Sequence, residues 1–242
     1  MIRLHFDQTI ALLTLDRGGA RNALPIAAWN AIADAAASVV ASDAHVLVVE
    51  SAMLGVFSAG ADLSEFPALI ADPALRTRFR TAMAAGIEAL AALPIPVIAA
   101  VDGGCFGAAV ALTLACDIVV AGDAALFATT PAKLGIGYPA SDVARLHARV
   151  GAGQAARMLF TGDRIDTDEA LRIGLAHCRA SDAAGPARAM AATICANDPD
   201  AVRLLKLIMR DPANLAHDQA FENAFGSPGF AQRLDAFLGG KR

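Results

Sequence analysis

The residues of this chain best placed to do chemistry are small ones. Five apolar residues, Val97–Val101, are followed by a break at Asp102-Gly103-Gly104, and Gly107 then opens the small, apolar run Ala108–Ala115. The first five suit one buried strand, and the later run suits a helix buried nearly all round. Glycine and alanine in its first turn leave almost nothing projecting from that end. A ligand can therefore approach unpaired backbone N–H groups at the positive end of the helix dipole, where negative charge is stabilised. Familiar side-chain patterns are missing from the sequence. His5, His45, His147, His177 and His217 form no pair at helical metal-ligand spacing, and there is no G-x-S-x-G, which argues against a metal hydrolase or a triad hydrolase. Cys105, Cys116, Cys178 and Cys195 have no C-x-x-C spacing and read as buried free thiols. Gly103–Gly107 is G-G-x-x-G rather than G-x-G-x-x-G, a spacing that argues against a dinucleotide site.

The elements that would hold such a helix end alternate strand with helix. Residues 2–6 and 9–15 read as a hairpin turning at Asp7-Gln8. A polar, glycine-rich loop, Asp16–Asn22, precedes a helix over Ile26–Val40 with Pro25 near its first turn. His45–Glu50 is a short buried strand running into a second loop, Phe57–Leu63, and an Ala-rich helix from about Pro73 to Leu93 is stopped by Pro94 and Pro96. After a third apolar strand at Ile118–Ala121, the segment Thr129–Pro139 is too rich in Pro and Gly for regular structure and reads as a loop near the same site. From Asp142 onward the chain is mostly helical, with helices over 142–150, 153–161, 166–173, 186–196, 199–210 and 215–238, the last interrupted at Gly226–Gly229. Apolar strands alternating with helices imply an α/β fold, a sheet layered with helices.

Composition limits the function classes. The chain has 242 residues, enough for one full core, and a net charge of −4 without a basic block, which argues against a nucleic-acid partner. No apolar run reaches the roughly 20 residues a membrane span needs. The opening residues alternate like a strand and show no secretory signal, so the expected compartment is the cytoplasm.

Five stretches, in order, resemble the crotonase family, the enoyl-CoA hydratase/isomerase superfamily: ARNAL at 20–24, FSAGADLSEF at 57–66, PIPVIAAVDGGCFGAAVALTLACDIVVA at 94–121, PAKLGI at 131–136 and TGDRIDTDEALRIGL at 161–175. The resemblance implies a ββα spiral core over residues 1–185 and a helical C-terminal trimerisation region over 186–242. It also implies a homotrimer or a dimer of trimers. The implied substrate is an acyl-CoA thioester; no separate cofactor or metal is implied, because CoA is part of the substrate. Two backbone N–H groups, by position those of Ala61 and Ala108, would hold the thioester oxygen and the enolate formed from it. The family's CoA contacts fall on Ala20, Arg21, Ala59, Gly60, Ala61, Asp62 and Leu63, with Gly107 beside the second donor. Arg17 and Arg21 suit a CoA phosphate, with a solvated surface role as the alternative. Phe225, Phe237 and Lys241 resemble a terminal helix that touches a neighbouring subunit's CoA.

The chain departs from the family where hydration needs two glutamates. Those positions fall on Ala111 and Pro131, neither of which can act as general acid or base. Polar residues nearby are Thr129, Thr130, Lys133, Tyr138 and Asp142. Tyr138 could donate a hydrogen bond or proton, or pack at the loop edge; Asp142 could be a base, or an N-cap with Ser141. Lys133 reads as solvated, Asp62 as a ligand of neighbouring N–H groups, and Glu65 as facing either the acyl pocket or solvent. TTPAKLGIGYP also looks like the methylmalonyl-CoA decarboxylase branch, which leaves loss of CO₂ from a malonyl-type thioester as one alternative activity. An idle CoA-thioester binder is the other.

Overall fold

The structure, a computed structural model, describes residues 1–239. Strands β1 (Ile2–Asp7) and β2 (Ile10–Leu15) form the antiparallel hairpin, turned by Gln8 with φ of 52°. Next come α1 (Ile26–Val40), β3 (Val46–Ser51), β4 (Val56–Ser58), α2 (Phe66–Ala71) and α3 (Pro73–Ala91). Then follow β5 (Val97–Val101), β6 (Gly104–Phe106), α4 (Ala108–Leu114), β7 (Ile118–Gly122) and β8 (Leu126–Ala128). The chain continues through α5 (Ala140–Thr161), β9 (Ile165–Asp166), α6 (Thr167–Arg172), β10 (Cys178–Ala180) and α7 (Ala184–Cys195). It closes with α8 (Pro199–Arg210), α9 (Ala216–Ala224) and α10 (Pro228–Gly239).

Two sheets result, one ordered β1-β2-β3-β5-β7-β10 and the other β4-β6-β8-β9. The first is parallel from β2 onward; in the second only β9 runs antiparallel to its neighbour. The pairs β3–β4, β5–β6 and β7–β8 each give one strand to each sheet before the chain enters helix, which is the ββα spiral expected. Strand β5 is buried along its whole length and β3 and β7 nearly so, as parallel strands covered on both faces must be.

The second sheet was not legible in the sequence. Its strands are two or three residues long, too short for any periodicity, and Gly104, read above as part of a turn, begins β6. The two helices expected over 142–150 and 153–161 are present: they follow one another within α5 and are separated at Gly151, whose φ of 77° and ψ of 163° are not helical. Within the expected loop 129–139, Pro131–Leu134 form a short 3-10 turn. A boundary at residue 186 falls inside α7, whose Ala187 and Ala191 pack on Val46, Val48, Ile98 and Val120 of the main sheet.

Lys206 of α8 is buried, and its ammonium donates to Ile95 O and to Asp117 Oδ2, both at 2.6 Å. Asp117 Oδ2 also accepts from Val97 N–H at 2.7 Å, so α8 is tied to the start of β5. No helix among the described residues is long and apolar enough to cross a membrane.

Candidate active site

Three loops converge at the site, and glycine permits their approach. Gly60 has φ of 88°, and a Cβ there would lie 2.3 Å from Phe106 O and 2.9 Å from Ala108 N. The loop after β4 thus rests directly on the entry to α4. Leu24 N–H donates to Gly60 O at 2.7 Å and Asp62 N–H to Leu24 O at 3.1 Å, a parallel bridge between Leu24 and Ala61. In such a bridge the N–H of the intervening residue, Ala61, points to the other side. The Ala108 N–H is the first of α4 and has no carbonyl one turn behind it in the helix. Neither N–H donates to another described residue. Two free donors therefore sit on touching loops.

Asn22 and Ser58 hold this arrangement, and the sequence reading singled out neither. Arg21 and Asn22 both lie in the left-handed region, with φ of 50° and 53°. Asn22, fully buried, pins that turn: its Oδ1 accepts from Arg17 N–H at 2.7 Å and its Nδ2 donates to Ser51 Oγ at 2.8 Å and Phe57 O at 3.0 Å. Ser58 Oγ donates to Asn22 O at 2.7 Å and accepts from Gly60 N–H at 3.0 Å. An asparagine followed by a small apolar run is a weak signal for such a clamp, since asparagine commonly accepts left-handed backbone in ordinary turns.

Two cavities meet at these loops. One, of about 710 Å³, is lined by residues that include Ala20, Arg21, Asp62, Phe106, Lys133 and Arg164. The other, of about 200 Å³, is more apolar, with Phe66, Phe79, Met83, Leu134 and Ile136 among its walls. Ala59, Ala61, Leu63 and Thr130 line both. Ala108 and Gly107 face the smaller cavity, as do Pro131, Tyr138 and Asp142. Ala20, Arg21, Ala59, Ala61, Asp62, Leu63, Gly107, Ala108, Tyr138 and Asp142 are thus brought together, and Gly60 lies behind the wall as the point of loop contact. Arg80, Phe106 and Arg164 are additional wall residues: the motifs at 94–121 and 161–175 contain the last two without giving them a role, and Arg80 lies outside every motif. Arg164 lies 5.2 Å above the Phe106 ring.

Several expectations are corrected by the side-chain partners. Arg17 faces neither cavity; its guanidinium donates to Ala23 O at 2.9 Å and pairs with Asp62 at 2.5 Å, so it is spent inside the fold. Glu65 faces neither the acyl side nor plain solvent: its carboxylate accepts from Ile26 N–H at 3.0 Å, at the start of α1. Asp142 is not an N-cap, because α5 begins at Ala140 and no side chain caps it. Phe225 packs edge-on against Phe221 and Phe230, and neither it nor Phe237 lines a cavity of its own chain, which does not bear on the expected contact with a neighbouring subunit's CoA; Lys241 lies outside the described residues. Asp62 does bind its own loop, accepting from Ser64 N–H at 3.0 Å and Ser64 Oγ at 2.7 Å. Burial raises its pKa, but the Ser64 hydrogen bonds and the Arg17 guanidinium together leave the carboxyl below its ordinary value. Lys133 is half exposed at the mouth of the larger cavity, 3.9 Å from Asp163.

A family model described as enoyl-CoA hydratase/isomerase matches residues 5–226. The chain belongs to the enoyl-CoA hydratase/isomerase family. It is 31% identical over 246 residues to a short-chain-enoyl-CoA hydratase of Clostridium acetobutylicum, covering 97% of this chain and 93% of that one. With the mitochondrial enoyl-CoA hydratase domain-containing protein 2 of Bos taurus it shares 34% over 208 residues, 83% of this chain and 70% of the other. A crystal structure of an enoyl-CoA hydratase/carnithine racemase from Magnetospirillum magneticum superposes with a TM-score of 0.93 at 28% identity, covering 98% and 92% of the two chains. The family acts on acyl-CoA thioesters, and its fold is the crotonase fold seen here.

Within this member of the family, Tyr138 and Asp142 are polar side chains on the wall of the smaller cavity. Tyr138 OH donates to Gly107 O at 2.8 Å, and the phenol faces the backbone of Ala111. Burial pushes its pKa well above the ordinary value, and the Asp142 charge adds to the rise. Asp142 is only 2% exposed. Its Oδ1 lies 3.4 Å from the Arg145 guanidinium, which itself pairs with Glu88 at 2.6 Å. Burial pushes the Asp142 carboxyl up to about 6, with Arg145 opposing the rise and Glu88 adding to it. A carboxyl so tuned can take and return a proton near neutral pH.

Proposed function

We propose that this chain forms a thioester enolate by proton transfer, with Asp142 as the acid/base and the N–H groups of Ala61 and Ala108 as the oxyanion hole. The observation that carries this reading is the pair of unpartnered N–H groups on loops pressed together at Gly60, where the two cavities join. CoA lies in the larger cavity, with Arg21, Lys133 and Arg164 toward its phosphates, and the acyl group enters the smaller one. The thioester carbonyl sits at the junction. As the α-proton leaves for Asp142, charge moves onto the thioester oxygen, and fixed donors stabilise it without reorganising. Returning the proton to the γ-carbon instead shifts a double bond along the chain. The product is an isomer, and no water is consumed.

Among the described residues Asp142 is the carboxylate that lines the smaller cavity, while Pro131 occupies its wall and Ala111 is fully buried. One acid/base suits a proton shuttle better than water addition, which needs a base for water and an acid for carbon. Tyr138 is a positioning residue. Gly107 C=O and Ala108 N–H belong to one planar peptide, so the phenol's hydrogen bond to Gly107 O fixes the plane that carries the Ala108 donor. Decarboxylation remains the second reading because Tyr138 OH lies at that helix entry. Its donor is already engaged with Gly107 O, which makes it a poor clamp for a substrate carboxylate.

Mass spectrometry and chromatography of the protein incubated with a 3-enoyl-CoA, crotonyl-CoA and methylmalonyl-CoA in D₂O test this. Isomerisation of the 3-enoyl-CoA with deuterium incorporation is expected. Loss of CO₂ from methylmalonyl-CoA without isomerisation would favour the second reading. Binding without exchange or turnover would leave an idle binder.

A further inference from the structure

We infer that the acyl group taken by the smaller cavity ends in a carboxylate, which pairs with Arg80. This rests on the reading of that cavity as the acyl site. Arg80 lies on α3, flanked on the same wall by Phe79 and Met83, in a cavity otherwise dominated by apolar side chains. Its guanidinium makes no ion pair or hydrogen bond with another described residue. The arginine one turn earlier behaves differently: Arg76 donates to Leu69 O at 2.6 Å and to Ile70 O at 2.5 Å, closing the end of α2. Arg145 is likewise engaged, with Glu88 and Asp142. Arg80 is the guanidinium on this wall left with its hydrogen-bonding fork unspent.

A guanidinium at the edge of an apolar cavity loses hydration when a ligand fills the space, and a planar carboxylate restores two hydrogen bonds to it. The phosphates of CoA do not answer this need. Arg80 is absent from the wall of the larger cavity, where Arg21, Lys133 and Arg164 stand. The acid/base does not answer it either, since Asp142 is tied through Arg145 to Glu88. Glu88 lies eight residues beyond Arg80 on α3, about 12 Å along the helix at 1.5 Å per residue. Positive charge for a distal carboxylate and an acid for the reacting carbons are therefore held at separate places. The substrate class is a half-thioester of a short dicarboxylic acid.

Isothermal titration calorimetry with two saturated thioesters of equal chain length, glutaryl-CoA and valeryl-CoA, which have no double bond to shift, compares a terminal carboxylate with a terminal methyl. The native protein is expected to bind glutaryl-CoA about tenfold more tightly, as one charge-assisted pair allows. In Arg80→Met that ratio should fall to within about twofold, and Arg80→Lys should keep part of it, with thermal melting confirming that both variants fold. Equal affinity for the two thioesters in the native protein, or a preference that survives in Arg80→Met, would overturn the assignment while leaving acyl-CoA binding intact. Failure of both thioesters to bind would overturn the acyl-site reading as well, an outcome distinct from equal binding.

Discussion

Gly60→Ala puts the geometry of the proposed oxyanion hole at risk most directly. The added Cβ would lie 2.3 Å from Phe106 O, whereas carbon–oxygen contacts settle near 3.3 Å, so the loop must withdraw by roughly 1 Å. The φ of 88° adds a left-handed penalty of about 1–2 kcal/mol for a residue with a Cβ. A displacement of about 1 Å between catalytic groups costs roughly 10²-fold, and loss of one oxyanion donor about 10²–10³-fold. The rate should therefore fall by about 10²–10³ while the protein loses about 2–3 kcal/mol of stability and still folds. Deuterium exchange at the α-carbon of butyryl-CoA in D₂O, followed by mass, reads enolate formation whatever the final product. Gly135→Ala is the control: its φ is 72°, but nothing lies within 4 Å of the new Cβ, so it carries the backbone penalty without moving a donor. Exchange within about threefold of native in a folded Gly60→Ala protein would refute the argument that Ala61 and Ala108 share the oxygen.

Three further outcomes follow from the same geometry. Asp142→Asn should abolish α-proton exchange while butyryl-CoA still binds, and in the native protein exchange should rise as pH passes through about 6 and then level off; exchange that persists in the variant would assign the base elsewhere. The Asp142 carboxyl is raised from 3.8 to about 6, so the folded state binds more protons than the unfolded state between those values. Its contribution is fully present below about pH 4 and is lost as pH rises through about 6. Relative to Asp142→Asn, the native protein should lose up to about 3 kcal/mol over that window, at about 1.4 kcal/mol per unit, measured by urea unfolding of both proteins at pH 4 and pH 7. Tyr138→Phe removes one hydrogen bond to the peptide that carries the Ala108 N–H, worth about 1 kcal/mol; kcat should drop about fivefold with KM nearly unchanged, and a rise in KM alone would make Tyr138 a binding residue instead.

Helix α1 could be read from the helical period of its apolar residues, and β5 from an unbroken apolar run bounded by Pro96 and Asp102. The second sheet could not. Val56–Ser58, Gly104–Phe106 and Leu126–Ala128 become strands only because the neighbouring turns of the spiral supply partners. The positions of Ala61 and Ala108 were accessible through motif order, whereas the fate of each charged group was not. Arg17 and Arg21 are four residues apart in one loop, yet one is consumed by Asp62 and the other faces the larger cavity. Which of two arginines finds an internal carboxylate depends on contacts between distant segments, and spacing along the chain does not encode them. Glu65 and Asp142 show the same limit for acids, one fastening α1 and the other entering the cavity.

The link between Lys206 and Asp117 bears on the order in which the molecule can be completed. Ile95 O, at the entrance to β5, and Asp117, which precedes β7, receive their ammonium partner from a helix about ninety residues downstream of Asp117. As the chain emerges from the ribosome, with earlier parts generally organising first, the strand carrying the α4 entrance can pair long before that cation arrives. Until then Asp117 holds only the Val97 N–H. A nascent chain ending before residue 206 would thus carry a formed spiral with one buried edge still open to water, and final closure would coincide with synthesis of α8.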